Sequence, residues 1–240
     1  MGKKSPTFDK LGLLPALVNA LDRLELKQAY PIQKRAIPAL LRGKDVLGIA
    51  QTGSGKTLAY ALPVLQQLMT ERWSLRNRHI AVLVLVPTRE LAVQVQQVFT
   101  DLNAGLSDPI KSLAVFGGAS INPQMIQMQG VDVLIATPGR LLDLLEHKAL
   151  KLAQLKMLVL DEADKMLNAG FEAEMNQLLA LMPAKRQNLL FSATLSESLD
   201  QLSRLLLYKP EIIEIAGEKQ EVNLIEQRAF RVAPERKGPF

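Results

Sequence analysis

The sequence predicts an α/β domain built on a mostly parallel β-sheet with helices on both faces. Three observations carry this. Seven short apolar runs, at 45–50, 80–86, 111–116, 131–136, 157–160, 188–191 and 212–215, are mostly rich in Val, Ile and Leu and lack strict alternation, as strands buried on both faces do. Longer stretches at 58–69, 90–102, 141–145, 172–181 and 199–207 carry apolar residues at helical spacing. The two kinds of segment alternate, which is the pattern of βαβ crossovers.

Taken in order, the chain opens with two helices before the first strand, at 13–24 and 33–41. Pro15 suits the first turn of its helix, and Pro31 and Pro38 punctuate the region. The first strand runs into a glycine-rich turn and a helix, and strand–helix alternation continues to 215. Beyond it, 216–221 is polar and contains Gly217, and reads as a linker. A further strand is expected at 224–232. A lone strand is not stable by itself, so the tail is expected to open a second domain. The expected division is 1–44 as N-terminal helices of the first domain and 45–216 as its core. A linker at 217–223 and the start of a second domain at 224–240 follow.

With 240 residues the chain has room for one large domain, or one domain and a fragment of another. It has no cysteine, which excludes a disulfide framework and a thiolate metal site, and only two histidines, His79 and His147, which argues against a histidine zinc site. Lys and Arg outnumber Asp and Glu by 29 to 24. That excess is either a solvated basic surface or a mild lean toward a polyanion partner. The apolar run 80–86 is too short to span a bilayer, and no apolar stretch follows Met1-Gly2-Lys3-Lys4, so a soluble, cytoplasmic protein is expected; separately, a monomer is expected. Lys165 and the cluster Arg72, Arg76, Arg78 and His79 read as solvated surface, and His147 as a helix-end residue.

Two segments carry chemistry. Ala50-Gln51-Thr52-Gly53-Ser54-Gly55-Lys56-Thr57 lies between a buried strand and a helix, the setting of a P-loop. Its glycines let backbone N–H groups wrap phosphates, and the helix N-terminus adds partial positive charge. Lys56 would reach the β- and γ-phosphates of ATP, and Thr57 would offer its hydroxyl to Mg2+. The alternative is a glycine-rich turn capping a helix. Ala50 departs from the generic pattern, where Gly is usual. Asp161-Glu162-Ala163-Asp164 follows the strand 157–160, so these carboxylates face the crevice of the phosphate loop. Asp161 would hold the metal, partly through water, and Glu162 would orient and deprotonate the attacking water. The alternative is an acidic first turn that stabilises the following helix. Lys56, Asp161 and Glu162 are the expected catalytic residues.

Together with Ser192-Ala193-Thr194, these motifs resemble, in that order, those of the DEAD-box RNA helicases. Pro87-Thr88-Arg89-Glu90-Leu91-Ala92, Gly117-Gly118 and Thr137-Pro138-Gly139-Arg140-Leu141 follow the family's order as well. The resemblance covers about 8–222 and implies a RecA-like P-loop NTPase domain that couples ATP binding and hydrolysis to RNA binding and local duplex unwinding, with arginines supplied by a second domain. It implies that Gln51 to Thr57 bind ATP, that Gln33 reads the adenine edge and that Phe8 stacks on the ring. Read without it, Phe8 is a core anchor and Gln33 a helix surface residue. In the family's adenine segment Glu25, Leu26, Ala29 and Tyr30 stand where Gly, an aromatic, Pro and Thr are usual.

The resemblance assigns RNA contact to Pro87, Thr88, Arg89, Gly117, Gly118, Thr137, Pro138, Gly139 and Arg140. Hydroxyls, amides and arginines contact phosphates without reading bases, so tracking of the sugar-phosphate backbone is expected to dominate over stacking. Each loop alone reads equally as cap or turn chemistry. Asp164, Ser192 and Thr194 are the expected coupling residues, with a helix cap before Glu197 as the alternative for the last two. Two other classes remain open: a DNA translocase with a similar core, separable by RNA-versus-DNA stimulation, and a non-catalytic RNA-binding scaffold, against which the intact Lys56–Glu162 set argues.

Overall fold

The computed structural model describes residues 7–73, 75–168 and 170–215. The expected linker at 217–223 and strand at 224–232 lie outside them. A 3-10 turn at Phe8–Leu11 precedes α1 (Pro15–Arg23) and α2 (Pro31–Leu41). Then follow β1 (Val46–Ile49), α3 (Lys56–Glu71), β2 (Val82–Leu85), α4 (Arg89–Asn103), β3 (Ser112–Val115), α5 (Ile121–Gln127), β4 (Val133–Ala136) and α6 (Pro138–Glu146). The chain continues through β5 (Met157–Asp161), α7 (Ala163–Asn168), α8 (Glu172–Ala180), β6 (Gln187–Ser192), α9 (Glu197–Leu206) and β7 (Glu211–Glu214).

The seven strands form one sheet in the order β3-β4-β2-β5-β6-β1-β7, and every pairing is parallel. Successive side chains of a strand point to opposite faces. In β2, Val82 and Val84 join one core with Tyr60, Val95 and Phe99, while Leu83 and Leu85 join the other with Leu141, Leu178 and Leu199. Each inner strand therefore buries both faces, which is why its sequence is a continuous apolar run. β7 departs from that expectation. It is an edge strand, with Ile213 buried and Ile212 exposed.

All seven expected strands form, and each expected helix is found within a few residues. Two short helices carried no readable period. α5 has seven residues with Pro123 among them, and α7 has six. α5 is anchored by Gln124, whose Oε1 accepts from Phe116 N–H at 3.0 Å and whose Nε2 donates to the carbonyls of Phe116 and Ser120. No helix among the described residues is long and apolar enough to cross a membrane.

Candidate nucleotide and nucleic-acid site

Because every strand runs the same way, every segment that follows a strand emerges on one rim. Across that rim the order is Phe116–Gly118 after β3, Thr137–Arg140 after β4, Pro87–Arg89 after β2, Asp161–Asp164 at the end of β5, Ser192–Thr194 after β6 and Ala50–Thr57 after β1. The phosphate loop and the acidic motif are two strands apart, ~10 Å at the usual spacing.

The turn 50–55 is set by Gly53 and Gly55, at φ 81° and 87°. Gly55 is the N-cap residue of α3. A Cβ on Gly55 would stand 2.4 Å from Gln33 Nε2 and 2.9 Å from the Tyr30 ring, so this turn needs glycine for space as well as for its dihedral. Lys56 is buried, and its Nζ donates to the carbonyls of Ala50 at 2.6 Å and Gln51 at 3.2 Å. Burial lowers its pKa, while Asp161, Glu162 and Asp164 pull it back up. Thr57 lies on the first turn of α3, where a hydroxyl can join a cation held against phosphates.

Asp161 is buried at the end of β5. Its Oδ2 accepts from Tyr60 Oη at 2.8 Å and its Oδ1 from the Glu162 N–H at 3.0 Å. Burial raises its pKa to about 6, against the opposing pull of the Tyr60 hydrogen bond and Lys56. The Tyr60 ring lies 5.4 Å from that of Phe191. Phe191 in turn occupies space that a side chain at Gly48 would fill, since a Cβ there would come within 2.6 Å of it. Glu162 has φ 54° and its carboxylate meets Lys165 Nζ at 2.8 Å. Lys165 is therefore not merely solvated surface: it holds Glu162 from the next turn of chain, and that bond raises its own pKa.

These residues suit a magnesium nucleotide. Among the described residues no three His, Cys, Asp or Glu side chains converge as a metal cage. A single carboxylate and a hydroxyl facing a phosphate cradle are what magnesium takes when the phosphates supply the rest of its shell.

Asp164 is buried and bonded across to β6. Its Oδ2 accepts from Thr194 Oγ1 at 2.9 Å and from the Thr194 N–H at 3.2 Å. Burial raises its pKa, but the bonds from Thr194, the nearby Ser192 hydroxyl and the Lys165 N–H outweigh it and hold the carboxyl below the ordinary range. The Ser192 hydroxyl donates to the Thr194 carbonyl at 2.9 Å, so Thr194 makes the direct bridge. The cap of α9 is Ser196, whose side chain accepts from Leu199 N–H, so a capping role for Ser192 or Thr194 is excluded.

On the other half of the rim a groove of about 540 Å³ is lined by Pro87, Thr88, Arg89, Gly117, Thr137, Gly139 and Arg140, from three different loops. Gly118 and Pro138 are not among its walls, and Pro138 is buried at the start of α6. Thr88 is the α4 N-cap, its Oγ1 accepting from Leu91 N–H, which leaves its hydroxyl proton to donate. Thr137 precedes α6 without a side-chain cap bond. Arg89 is exposed and paired with Glu90. Arg140 is buried, donates from Nη2 to the Ala119 carbonyl at 2.8 Å and meets Asp143 at 3.4 Å, leaving Nη1 without a partner. Phe171 also lines the groove, an aromatic the sequence reading did not place there.

The adenine segment also departs from expectation. Gln33 is fully buried, not a helix surface residue. Its Oε1 accepts from Tyr30 N–H at 2.8 Å and its Nε2 donates to the Gly55 carbonyl at 3.0 Å, so one end of the amide is committed to Tyr30 and the other to the phosphate loop. Phe8 is 3% exposed within the core, the anchor alternative, and presents no open ring face for stacking. Tyr60 was missed because a tyrosine on the inner face of a helix reads as core. His147 does end α6, as expected.

Residues 30–202 match the family model described as DEAD/DEAH box helicase. The chain is 40% identical over 231 residues, 96% of its length, to the DEAD-box ATP-dependent RNA helicase CshA of Streptococcus pneumoniae, and covers 43% of that protein. It is 43% identical over 223 residues, 92% of its length, to the ATP-dependent RNA helicase DDX47 of Drosophila melanogaster, again covering 43% of the relative. The crystal structure of a DEAD box protein from the hyperthermophile Methanococcus jannaschii superposes with a TM-score of 0.78 at 31% identity, covering 87% of this chain and 55% of that one.

Proposed function

From the premise that this chain belongs to the DEAD/DEAH box helicase family, we propose that it is the ATP-binding half of an ATP-dependent RNA helicase, acting as a cytoplasmic monomer. The chain spans less than half the length of the curated relatives named above, so unwinding is proposed for the full-length protein, and binding of Mg–ATP and RNA for this chain. The observation that carries the reading is the rim. A phosphate cradle, an acidic pair and a groove built from three loops lie along one edge of one sheet, and the Asp164–Thr194 bond ties the start of α7 to the segment after β6.

The chemistry follows from the residues. The N–H groups of 53–57 wrap the β- and γ-phosphates, and the Lys56 ammonium exchanges the carbonyls of Ala50 and Gln51 for phosphate oxygens. Asp161 and Thr57 would hold magnesium, which would neutralise phosphate charge. Glu162 takes a proton from water as the water oxygen bonds to the γ-phosphorus and the bond to the β,γ-bridging oxygen breaks. Lys165 steadies Glu162, and the family's second-domain arginines would act on the transferring group. Thr88, Arg89, Gly117, Thr137, Gly139 and Arg140 hold the RNA backbone. Gly118 and Pro138 shape their loops. Gln33 is assigned to the adenine edge because it touches the phosphate loop, and Phe8 stays in the core. Gln33 must surrender a bond to Tyr30 or Gly55 to read the base, and ATP then competes with the apo packing of the loop.

The test is calorimetric titration of this chain with Mg–ADP. Lys56→Ala is expected to abolish binding, and unchanged affinity refutes the cradle. In the full-length protein, RNA but not DNA is expected to stimulate turnover, since the 2′-hydroxyl separates them. Equal stimulation by DNA favours the translocase reading.

A further inference from the structure

The opposite rim, where strands enter the sheet, carries a row of cations. Four adjacent strands, in the order β5-β6-β1-β7, are each preceded by basic residues: Lys156 before β5, Lys185 and Arg186 before β6, Lys44 before β1 and Lys209 before β7. The registers bring them together as two level pairs one residue out of step, since Val46 opposite Leu189 sets Lys44 beside Gln187. Met157 pairs with Gln187, which levels Lys156 with Arg186. Val46 pairs with Glu211, which levels Lys44 with Lys209. At ~4.8 Å between strands the row is ~14 Å long.

All five line one groove of about 720 Å³, with Trp73 and Tyr208 in its walls and Asp45 as its one carboxylate. Asp45 is spent on structure, accepting from the Asn188 and Tyr208 N–H groups at 2.8 Å each. Glu211 flanks the row and pairs with Arg42 at 3.4 Å and Lys44 at 3.6 Å. Among the described residues Lys156, Lys185, Arg186 and Lys209 have no carboxylate partner within 4 Å. Lys209 instead lies 5.2 Å from the centre of the Tyr208 ring, which is 74% exposed. Two buried polar atoms of the lining have no partner: Arg186 Nε, a donor, and Asn188 Oδ1, an acceptor on a side chain that is itself buried.

We propose that this groove is a second binding surface for single-stranded RNA, separate from the rim that holds the nucleotide. Cations at strand spacing hold phosphates. The exposed Tyr208 ring and the half-buried edge of Trp73 offer surfaces on which bases stack. The unmet acceptor of Asn188 suits a ribose hydroxyl, and the unmet donor of Arg186 a phosphate oxygen, each after a small side-chain movement. An acidic segment of Asp and Glu would use the cations but would offer the Tyr208 ring no base to stack on. The choice of RNA as the polyanion rests on the functional reading above, so the test reads the two rims separately.

A 20-nucleotide oligouridylate containing 4-thiouridine is bound to the 240-residue chain and photocrosslinked, and the crosslinked peptides are mapped. Anisotropy gives affinity from 50 to 200 mM salt. Crosslinks are expected at Tyr208 or Trp73 as well as on the carboxyl-end rim. The triple variant Lys156→Glu, Lys185→Glu, Lys209→Glu is expected to lose those at Tyr208 and Trp73, to bind at least tenfold more weakly and to lose about 2 from the log–log salt slope, at ~0.7 per single-strand phosphate contact. Tyr208→Ala, an exposed change that should leave the fold intact, is expected to weaken binding severalfold at unchanged slope. Arg89→Ala is expected to reduce only the carboxyl-end crosslinks, and if those are absent in every variant while the others persist, the earlier reading fails and this one stands. Absence of any crosslink on the amino-end rim overturns the proposal. So does an unchanged salt slope in a triple variant of wild-type circular dichroism, or displacement of the RNA from this rim by a polyglutamate peptide at lower concentration than by unlabelled RNA.

Discussion

Replacing Tyr60 with phenylalanine isolates one atom of the proposed magnesium site. The phenol donates to Asp161 Oδ2 at 2.8 Å, and its ring packs against Phe191 with centroids 5.4 Å apart. Phenylalanine keeps the ring and the packing, so no large cavity opens. A hydrogen bond to an ionised group is worth ~1.5–3 kcal/mol. At 1.36 kcal/mol per pH unit this moves half-ionisation of Asp161 upward by roughly one to two units, from about 6 in the wild type to neutrality or above. A protonated carboxyl does not hold magnesium. Mg–ADP affinity of Tyr60→Phe, measured by calorimetry, is therefore expected to fall about tenfold at pH 6.5 and to recover by pH 8.5. Binding of ADP without metal is expected to change little. A loss of the same size at every pH, or no loss at pH 6.5, refutes the reasoning, because either would mean that the hydroxyl does not act through the ionisation of Asp161.

Three further outcomes follow from the same geometry. Glu162→Gln in the full-length protein is expected to keep Mg–ATP binding and to lose ~10²–10⁴-fold in RNA-stimulated turnover; normal turnover removes Glu162 as the base. Thr194→Val, which deletes the hydroxyl bonded to Asp164 at 2.9 Å, is expected to leave Mg–ADP affinity within about twofold while lowering RNA stimulation of turnover, and unchanged stimulation dissolves the coupling role. Without nucleotide, the stability of this chain is expected to fall as pH rises from about 4 to about 6. In that window the unfolded chain has released the Asp161 proton, whereas the native chain holds it with a pKa near 6. The native state then binds more protons, the slope of unfolding free energy with pH is negative, and the loss is on the order of 3 kcal/mol. Urea unfolding at pH 4.5 and 7 measures it, and Asp161→Asn flattens that part of the profile.

How much of this was legible in the sequence depends on whether the physics is local to the chain. The strands were readable because β2, β4, β5 and β6 each feed two cores at once, which forces a continuous apolar run. The nucleotide and acidic motifs were readable because phosphates are wrapped by consecutive N–H groups, so the chemistry must be contiguous. The parts that were missed join distant positions. Gln33 reaches the phosphate loop across 22 residues, Tyr60 reaches Asp161 across 101, and Arg140 reaches the Ala119 carbonyl across 21. The basic row is the extreme case. A phosphate backbone needs only side-chain charge at strand spacing, and that can be supplied by a residue or two from each loop. Lys44, Lys156, Lys185, Arg186 and Lys209 come from four separate segments, and in the linear sequence they are indistinguishable from ordinary solvated cations. Only the strand order β5-β6-β1-β7 makes neighbours of them. In a parallel sheet, a rim that acts through backbone amides writes a motif into the sequence, and a rim that acts through isolated side chains writes none.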